Sequence, residues 1–214
     1  MANVYEYRGV DNVVIAEVTG DDNETGGGYV TGTVKPLVPA AEIGKTTESG
    51  SESHYYDNQP MIIITSEGPD KISITGAGMD IQTLAEIISK SYDETTGAMV
   101  DGPMQPRYFA LGYRTKGTDG QYRYVWRLKG MFSIPEETVA TEDDGTEANG
   151  TTLTYTGIYT THKFAKGKKL ADGKWEAAPV KGIVVDTRKG LADVSKFFDA
   201  VVTPDSLTAK TANT

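Results

Sequence analysis

Residues Arg107–Ile134 read RYFALGYRTKGTDGQYRYVWRLKGMFSI. Two runs of strand-forming residues flank Lys116-Gly117-Thr118-Asp119-Gly120, a glycine-punctuated link ending in Asp-Gly. That arrangement predicts an antiparallel β-hairpin. In the second run Tyr122, Tyr124, Trp126 and Leu128 recur at every second position, while Arg123, Arg127 and Lys129 occupy alternate ones. A period of two sends the two sets to opposite faces of a strand. The first set is therefore expected to form a core aromatic strand, and the basic set to face water. A β fold follows.

Working outward, further strands are expected at Val13–Val18 (VVIAEV), Tyr29–Lys35 (YVTGTVK), Met61–Thr65, Lys71–Thr75, Thr152–Thr161 and Val180–Thr187. Glu67-Gly68-Pro69-Asp70 has turn composition, so its two flanking runs read as a second hairpin. Within Thr152–Thr161, alternation places Leu153, Tyr155 and Tyr159 inward and Thr152, Thr154, Thr156 and Thr160 outward. Helix signals are few. Ile81, Leu84, Ala85 and Ile88 have helical spacing behind Asp80, a good N-cap residue. A shorter helix is expected over Ala192–Ala200, with Val194, Phe197 and Phe198 on its apolar side. The result is a mainly β fold with one clear flanking α-helix. Residues 1–202 form one domain with long polar loops at 42–58 and 136–150, and 203–214 form a flexible, small-polar C-terminal tail.

Composition excludes several function classes. The chain has 214 residues and no cysteine, which removes disulfide scaffolds, cysteine metal sites and thiol nucleophiles. With two histidines, acid–base and metal chemistry near neutral pH have little to draw on. The net charge of −9 is the wrong sign for a dedicated nucleic-acid binder. Charge falls in blocks, −12 over residues 1–101, +5 over 102–135, −6 over 136–162 and +4 over 163–214. A molecule with acidic and basic sides is suited to docking against copies of itself. The N-terminus lacks the basic start and apolar run of an export signal, and the longest apolar run is Met61–Ile64, so a protein that stays in the cytoplasm where it is made is expected.

Individual motifs add little chemistry. Gly76-Ala77-Gly78 between a strand and a helix imitates a dinucleotide-binding turn, but Ile81 replaces the third glycine and Asp80 would repel a phosphate. His54 and His162 have no ligand partners at metal spacing. Lys163, Lys166, Lys168 and Lys169 form a dense basic cluster before the turn Asp172-Gly173, which reads either as a plain hairpin tip or, in preference, as a contact with the acidic side of another copy. No catalytic residue, cofactor site or metal site is expected.

In order along the chain, these pieces resemble the major tail tube proteins of long-tailed, non-contractile bacteriophages. The resemblance begins at Tyr7-Arg8-Gly9-Val10-Asp11-Asn12-Val13-Val14-Ile15-Ala16 and passes through a loop ending Tyr56-Asp57-Asn58. It is most specific in FALGYRTKGTDGQYRYVWRLKGMFSIPEETVAT followed by LTYTG, and covers roughly residues 5–160. Lys163–Lys189 fits the family pattern less well. The resemblance implies a β-sandwich or open barrel whose subunits form hexameric rings stacked into a tube through which DNA passes without specific binding. It implies tape measure, tail terminator and distal tail proteins as further partners, and the virion tail, assembled in host cytoplasm, as the location. The family's ring-joining loop falls at 42–58 here, so Thr46, Thr47, His54, Tyr55, Tyr56 and Asp57 become candidate interface residues. Two other classes are compatible with the composition, an extracellular β-sandwich binding module of pilin or carbohydrate-binding type and a small β-rich hydrolase using buried carboxylates.

Overall fold

The computed structural model describes residues 4–22, 28–135 and 150–210. The acidic segment expected as a loop at 136–150 lies outside them except for Gly150. The elements are β1 (Tyr7–Asp21), β2 (Tyr29–Thr31), β3 (Lys35–Pro36), β4 (Ala40–Tyr56), β5 (Gln59–Gly76), α1 (Ile81–Ile87), β6 (Ser91–Asp93), β7 (Ala98–Val100), β8 (Tyr108–Gly117), β9 (Tyr122–Phe132), β10 (Thr151–Gly157), β11 (Phe164–Lys169), β12 (Trp175–Ala178) and β13 (Gly182–Asp186). Among the described residues the chain is mainly β with a single short α-helix. Its main sheet is antiparallel in the order β2-β1-β8-β9-β10-β5-β4, with β13 beside β9 and β3 beside β1. This sheet curls into a half-barrel. Two small hairpins, β6–β7 and β11–β12, stand apart from it.

The decisive hairpin is β8–β9, with Thr115 opposite Arg123 and Lys116 opposite Tyr122. Gly120, at the turn, has φ +78°, a conformation glycine adopts without strain. Strand β9 is more deeply placed than its alternation predicts. Trp126 and Leu128 are buried on one face, but Val125 is buried on the other, where water was expected. The reason is tertiary. The concave face holds one core, including Val13, Ile72, Ile74, Phe109, Leu111, Val125 and Tyr155. The convex face of β9 is covered by the C-terminal segment, whose Val194, Phe197, Phe198 and Leu207 pack with Trp126 and Leu128. Arg127 and Lys129 consequently lie half-covered and are ion-paired, Arg127 to Asp70 and Lys129 to Asp21. Their long stems cover apolar surface while the heads find carboxylates.

Pairing of β8 with β9 shifts between Phe109–Gly130 and Leu111–Arg127. Two steps on β8 thus match three on β9, a bulge that reverses the facing of β9 beyond it. Phe132 therefore joins the concave core although Trp126 and Leu128 belong to the convex one.

Helix α1 begins where expected. The Asp80 carboxylate accepts from the Thr83 backbone N–H at 2.9 Å and from its hydroxyl at 2.7 Å. Its buried side is Ala85 and Ile87, followed by Ile88, whereas Ile81 is exposed. The expected helix over Ala192–Ala200 is instead a succession of turns. It still buries Phe197, because the indole N–H of Trp126 donates to the Phe197 carbonyl at 2.8 Å and fixes the backbone there. Strand β10 ends at Gly157, so the expected alternation stops there: Tyr159 is exposed and Thr160 is buried. Residues 203–210 of the expected tail are tied down. The Lys210 N–H donates to the Leu191 carbonyl at 2.8 Å, and Asp205 accepts from the N–H groups of Ala165 and Lys166 at 2.8 Å each. Residues 211–214 lie outside the described residues.

Candidate assembly interface

The segment read as a polar loop at 42–58 is strand β4, and it continues into β5 through a two-residue turn. Asp57 and Asn58 both have positive φ, 48° and 60°. Two such residues in succession make the tight turn whose twist suits a two-residue hairpin, and Asp and Asn are the non-glycine residues that best tolerate it. Pairing runs from Tyr56–Gln59 back to Ala40–Gly76. The expected hairpin turn at Glu67-Gly68-Pro69-Asp70 is therefore mid-strand. Register passes from Thr47–Asp70 to Ser49–Glu67, so Gly68 and Pro69 together oppose the single residue Glu48. This is a β-bulge, one of the few sheet positions where a residue without an N–H is tolerated.

Beyond the bulge the hairpin leaves the half-barrel as a two-stranded arm. Eight residues from Ser49 to Tyr56 at about 3.3 Å each give it a reach of about 25 Å. Side chains on both of its faces meet solvent. Met61, Ile62, Ile63 and Ile64 are 49–67% exposed, and Tyr55 and Tyr56 are exposed beside them. Of the sequence-derived interface residues, Tyr55, Tyr56 and Asp57 lie at the exposed tip, and His54 is partly covered opposite Ile62. Thr46 and Thr47 lie at the root. The apolar run Met61–Ile64 was legible as a strand but not as surface, because four consecutive apolar residues normally signal burial on both faces.

The root is held by buried charge. Asp70 is 1% exposed. Its carboxylate accepts from the Thr47 hydroxyl at 2.8 Å and pairs with Lys45 at 3.1 Å, Arg127 at 3.2 Å and Lys181 at 3.6 Å. Burial by itself would raise the pKa of this carboxyl. The hydrogen bonds from Thr47 and Lys45 and the Arg127 charge outweigh burial, so it lies below the ordinary aspartate range. Lys181 also binds Glu67 at 2.6 Å and lies 4.8 Å over the Tyr159 ring. Arm residues Lys45, Thr47, Glu67 and Asp70 are thus joined to Arg127 on β9 and to Lys181 before β13. A buried ion cluster contributes little net stability but fixes geometry, since any displacement leaves charges unpaired.

Two further features belong to this end of the molecule. Strand β4 ends the main sheet, so its outer edge carries unpaired backbone groups along a 17-residue strand. A sheet edge is a template for pairing with another strand, although register shifts at Ala40/Glu42, Thr47/Ser49 and His54/Tyr55 interrupt this one. Between β4 and strands β8 and β9 lies a cleft of about 470 Å³ lined by Lys45, Tyr113, Arg123 and Arg127 among others.

Chemical equipment is sparse. Among the described residues no group of His, Cys, Asp and Glu side chains could hold a metal ion. His162 is structural: its ring meets Phe164 edge-on at 4.8 Å, and its backbone N–H donates to Asp21 at 2.8 Å. Among the described residues no helix is long and apolar enough to cross a membrane. No protein-family model matches the chain, and no curated protein is detectably similar to it.

Proposed function

We propose that this protein is a structural, self-assembling subunit of the phage tail tube type, forming rings that stack into a hollow tube. The observation that carries the reading is the arm. A lone two-stranded hairpin is at best marginally stable in water, and this one exposes Met61–Ile64, Tyr55 and Tyr56 on a frame anchored by the Asp70 cluster. Such a segment is built to be covered. The open edge of β4 and the curled, incomplete barrel support the same reading, because closure between neighbouring subunits removes free edges.

In this reading the partners are other copies of the chain, in rings of six, together with the tape measure, tail terminator and distal tail proteins of a virion tail assembled in host cytoplasm. DNA passes through the lumen without specific contacts, and the net charge of −9 suits a wall that repels phosphates. No catalysis is needed. Sedimentation velocity of the purified chain over a wide concentration range tests the proposal. Discrete species many times the monomer mass are expected, and a strictly monomeric boundary at every concentration would overturn it.

A further inference from the structure

Besides the arm, the β11–β12 hairpin stands clear of the main sheet, and its charge is opposite. Strands β11 and β12 pair only with each other. They are joined by a turn in which Gly173 has φ +86° and Asp172 accepts from the Lys174 N–H at 3.0 Å. The base is rigidly seated. Phe164 is buried, and Asp205 clamps the N–H groups of Ala165 and Lys166. The projecting part carries Lys166, Lys168, Lys169 and Lys174, all exposed, against Asp172 and Glu176. Lys168–Glu176 and Lys174–Asp172 are long contacts at 3.6 and 3.7 Å, and among the described residues Lys166 and Lys169 make no ion pair. Between them sits an exposed apolar centre. Trp175 is 52% exposed, with the Lys169 ammonium 5.8 Å from its ring centre, and Leu170 is exposed at the turn.

The arm has the complementary make-up. From residue 48 to residue 67 it contains Glu48, Glu52, Asp57 and Glu67 and no Lys or Arg, around the exposed Met61–Ile64. Glu48 is paired with Lys71 at 2.7 Å and Glu67 with Lys181 at 2.6 Å, so among the described residues Glu52 and Asp57 are the arm acids left without an ion pair. Within one subunit the two do not satisfy each other. Gly167, Lys168 and Ala178 of the basic hairpin line a shallow depression with Glu67 and Asp70 at the arm's root, whereas Glu52 and the tip extend away from it.

We infer that the basic hairpin β11–β12 is the docking site for the acidic arm of a second copy of this chain, an inference that rests on the self-assembly reading above. Opposite charges on two projecting elements steer their encounter, and an exposed tryptophan facing an isoleucine-rich strand supplies the desolvated centre that holds it. Exposed ion pairs are individually weak and screened by salt, so association is expected to slow as salt rises while the apolar contact persists. Duplex DNA is the other anionic partner such a hairpin could meet, and the acidity of the whole chain opposes it.

The test uses the full chain and charge exchange. Lys166→Glu/Lys169→Glu and, separately, Glu52→Lys/Asp57→Asn, which changes the two unpaired arm acids and keeps a residue that tolerates the turn at 57, should each raise the concentration needed for assembly at least tenfold in sedimentation. These positions are exposed, so near-ultraviolet circular dichroism should match the native chain. Combining all four substitutions should restore assembly toward the native concentration. Assembly of native chain alongside an unaffected Lys166→Glu/Lys169→Glu variant would overturn this inference while leaving the self-assembly reading intact. Failure of the fourfold variant to recover would also overturn it, by placing the contact elsewhere. A native chain that never assembles would overturn both. Retention of native protein on duplex DNA at 0.1 M salt, lost in Lys166→Glu/Lys169→Glu, would reassign the hairpin to nucleic acid.

Discussion

Gly112 and Trp126 stand directly opposite each other on β8 and β9, and the indole occupies the space a side chain at 112 would need. A Cβ on Gly112 would lie 2.9 Å from two ring carbons of Trp126 and 2.8 Å from the Val14 side chain. The absence of a side chain at 112 therefore lets the largest fully buried residue of the chain lie over the sheet. Gly112→Ala should destabilise the fold by about 1–3 kcal/mol through overpacking. Urea unfolding measures this directly, and an unchanged midpoint would show that the ring has room to move.

Trp126 also ties the sheet to the C-terminal segment, through its bond to the Phe197 carbonyl. Trp126→Ala should cost about 3–5 kcal/mol. Trp126→Phe keeps most of the apolar volume but leaves a buried carbonyl unpaired, at about 1–3 kcal/mol. Faster proteolysis within residues 191–210 of Trp126→Phe, ahead of global unfolding, would show that the bond holds this segment down. Native resistance there would contradict it.

Asp70 links the arm to the body, and its effect has a definite pH sign. Its carboxyl is held below the ordinary range in the folded chain, so it favours folding at any pH above the unfolded value of about 3.9. That contribution disappears as pH falls through the lower, folded value. Asp70→Asn removes the carboxylate that, among the described residues, alone pairs with Lys45 and Arg127, and should cost about 3 kcal/mol at pH 7. Stability of the variant should also change less than that of the native chain between pH 5 and pH 2. Parallel curves for the two proteins over that range would refute the role.

Shortening the arm separates folding from assembly. Replacing Ser51–Thr65, whose ends are paired in β4–β5, with Asn-Gly keeps a two-residue turn on a shorter ladder. The melting temperature should stay within a few degrees of the native value, because the removed segment buries little. Large species should be absent in sedimentation. Normal assembly of this variant would show that the arm is idle.

Much of the architecture was legible because strands β8, β9 and β10 write their period into the sequence. Tyr122, Tyr124, Trp126 and Leu128 do share a face, as spacing requires. The water-facing expectation failed for Arg127 and Lys129 because covering them depends on Asp70 and Asp21, which are remote in sequence. Glu67-Gly68-Pro69-Asp70 has the composition of a turn, yet a bulge needs the same residues, and only pairing with Glu48 distinguishes them. The true turn, Asp57-Asn58, lacks glycine and so carried a weaker signal. At Ala192–Ala200 the apolar positions were informative, but helix spacing alone could not reveal that Trp126 claims a backbone carbonyl there. The candidate interface residues Tyr55, Tyr56 and Asp57 fell at an exposed tip, whereas the exposure of Met61–Ile64 contradicts what their hydrophobicity suggests and is visible only in three dimensions.

Electron microscopy of the purified full-length chain, concentrated at moderate salt, tests the central claim most directly. The account predicts rings and hollow tubes of one diameter and a constant axial repeat, which the arm-shortened chain does not form. Fields containing only dispersed monomers or amorphous aggregates, at every concentration and salt tried, would contradict it.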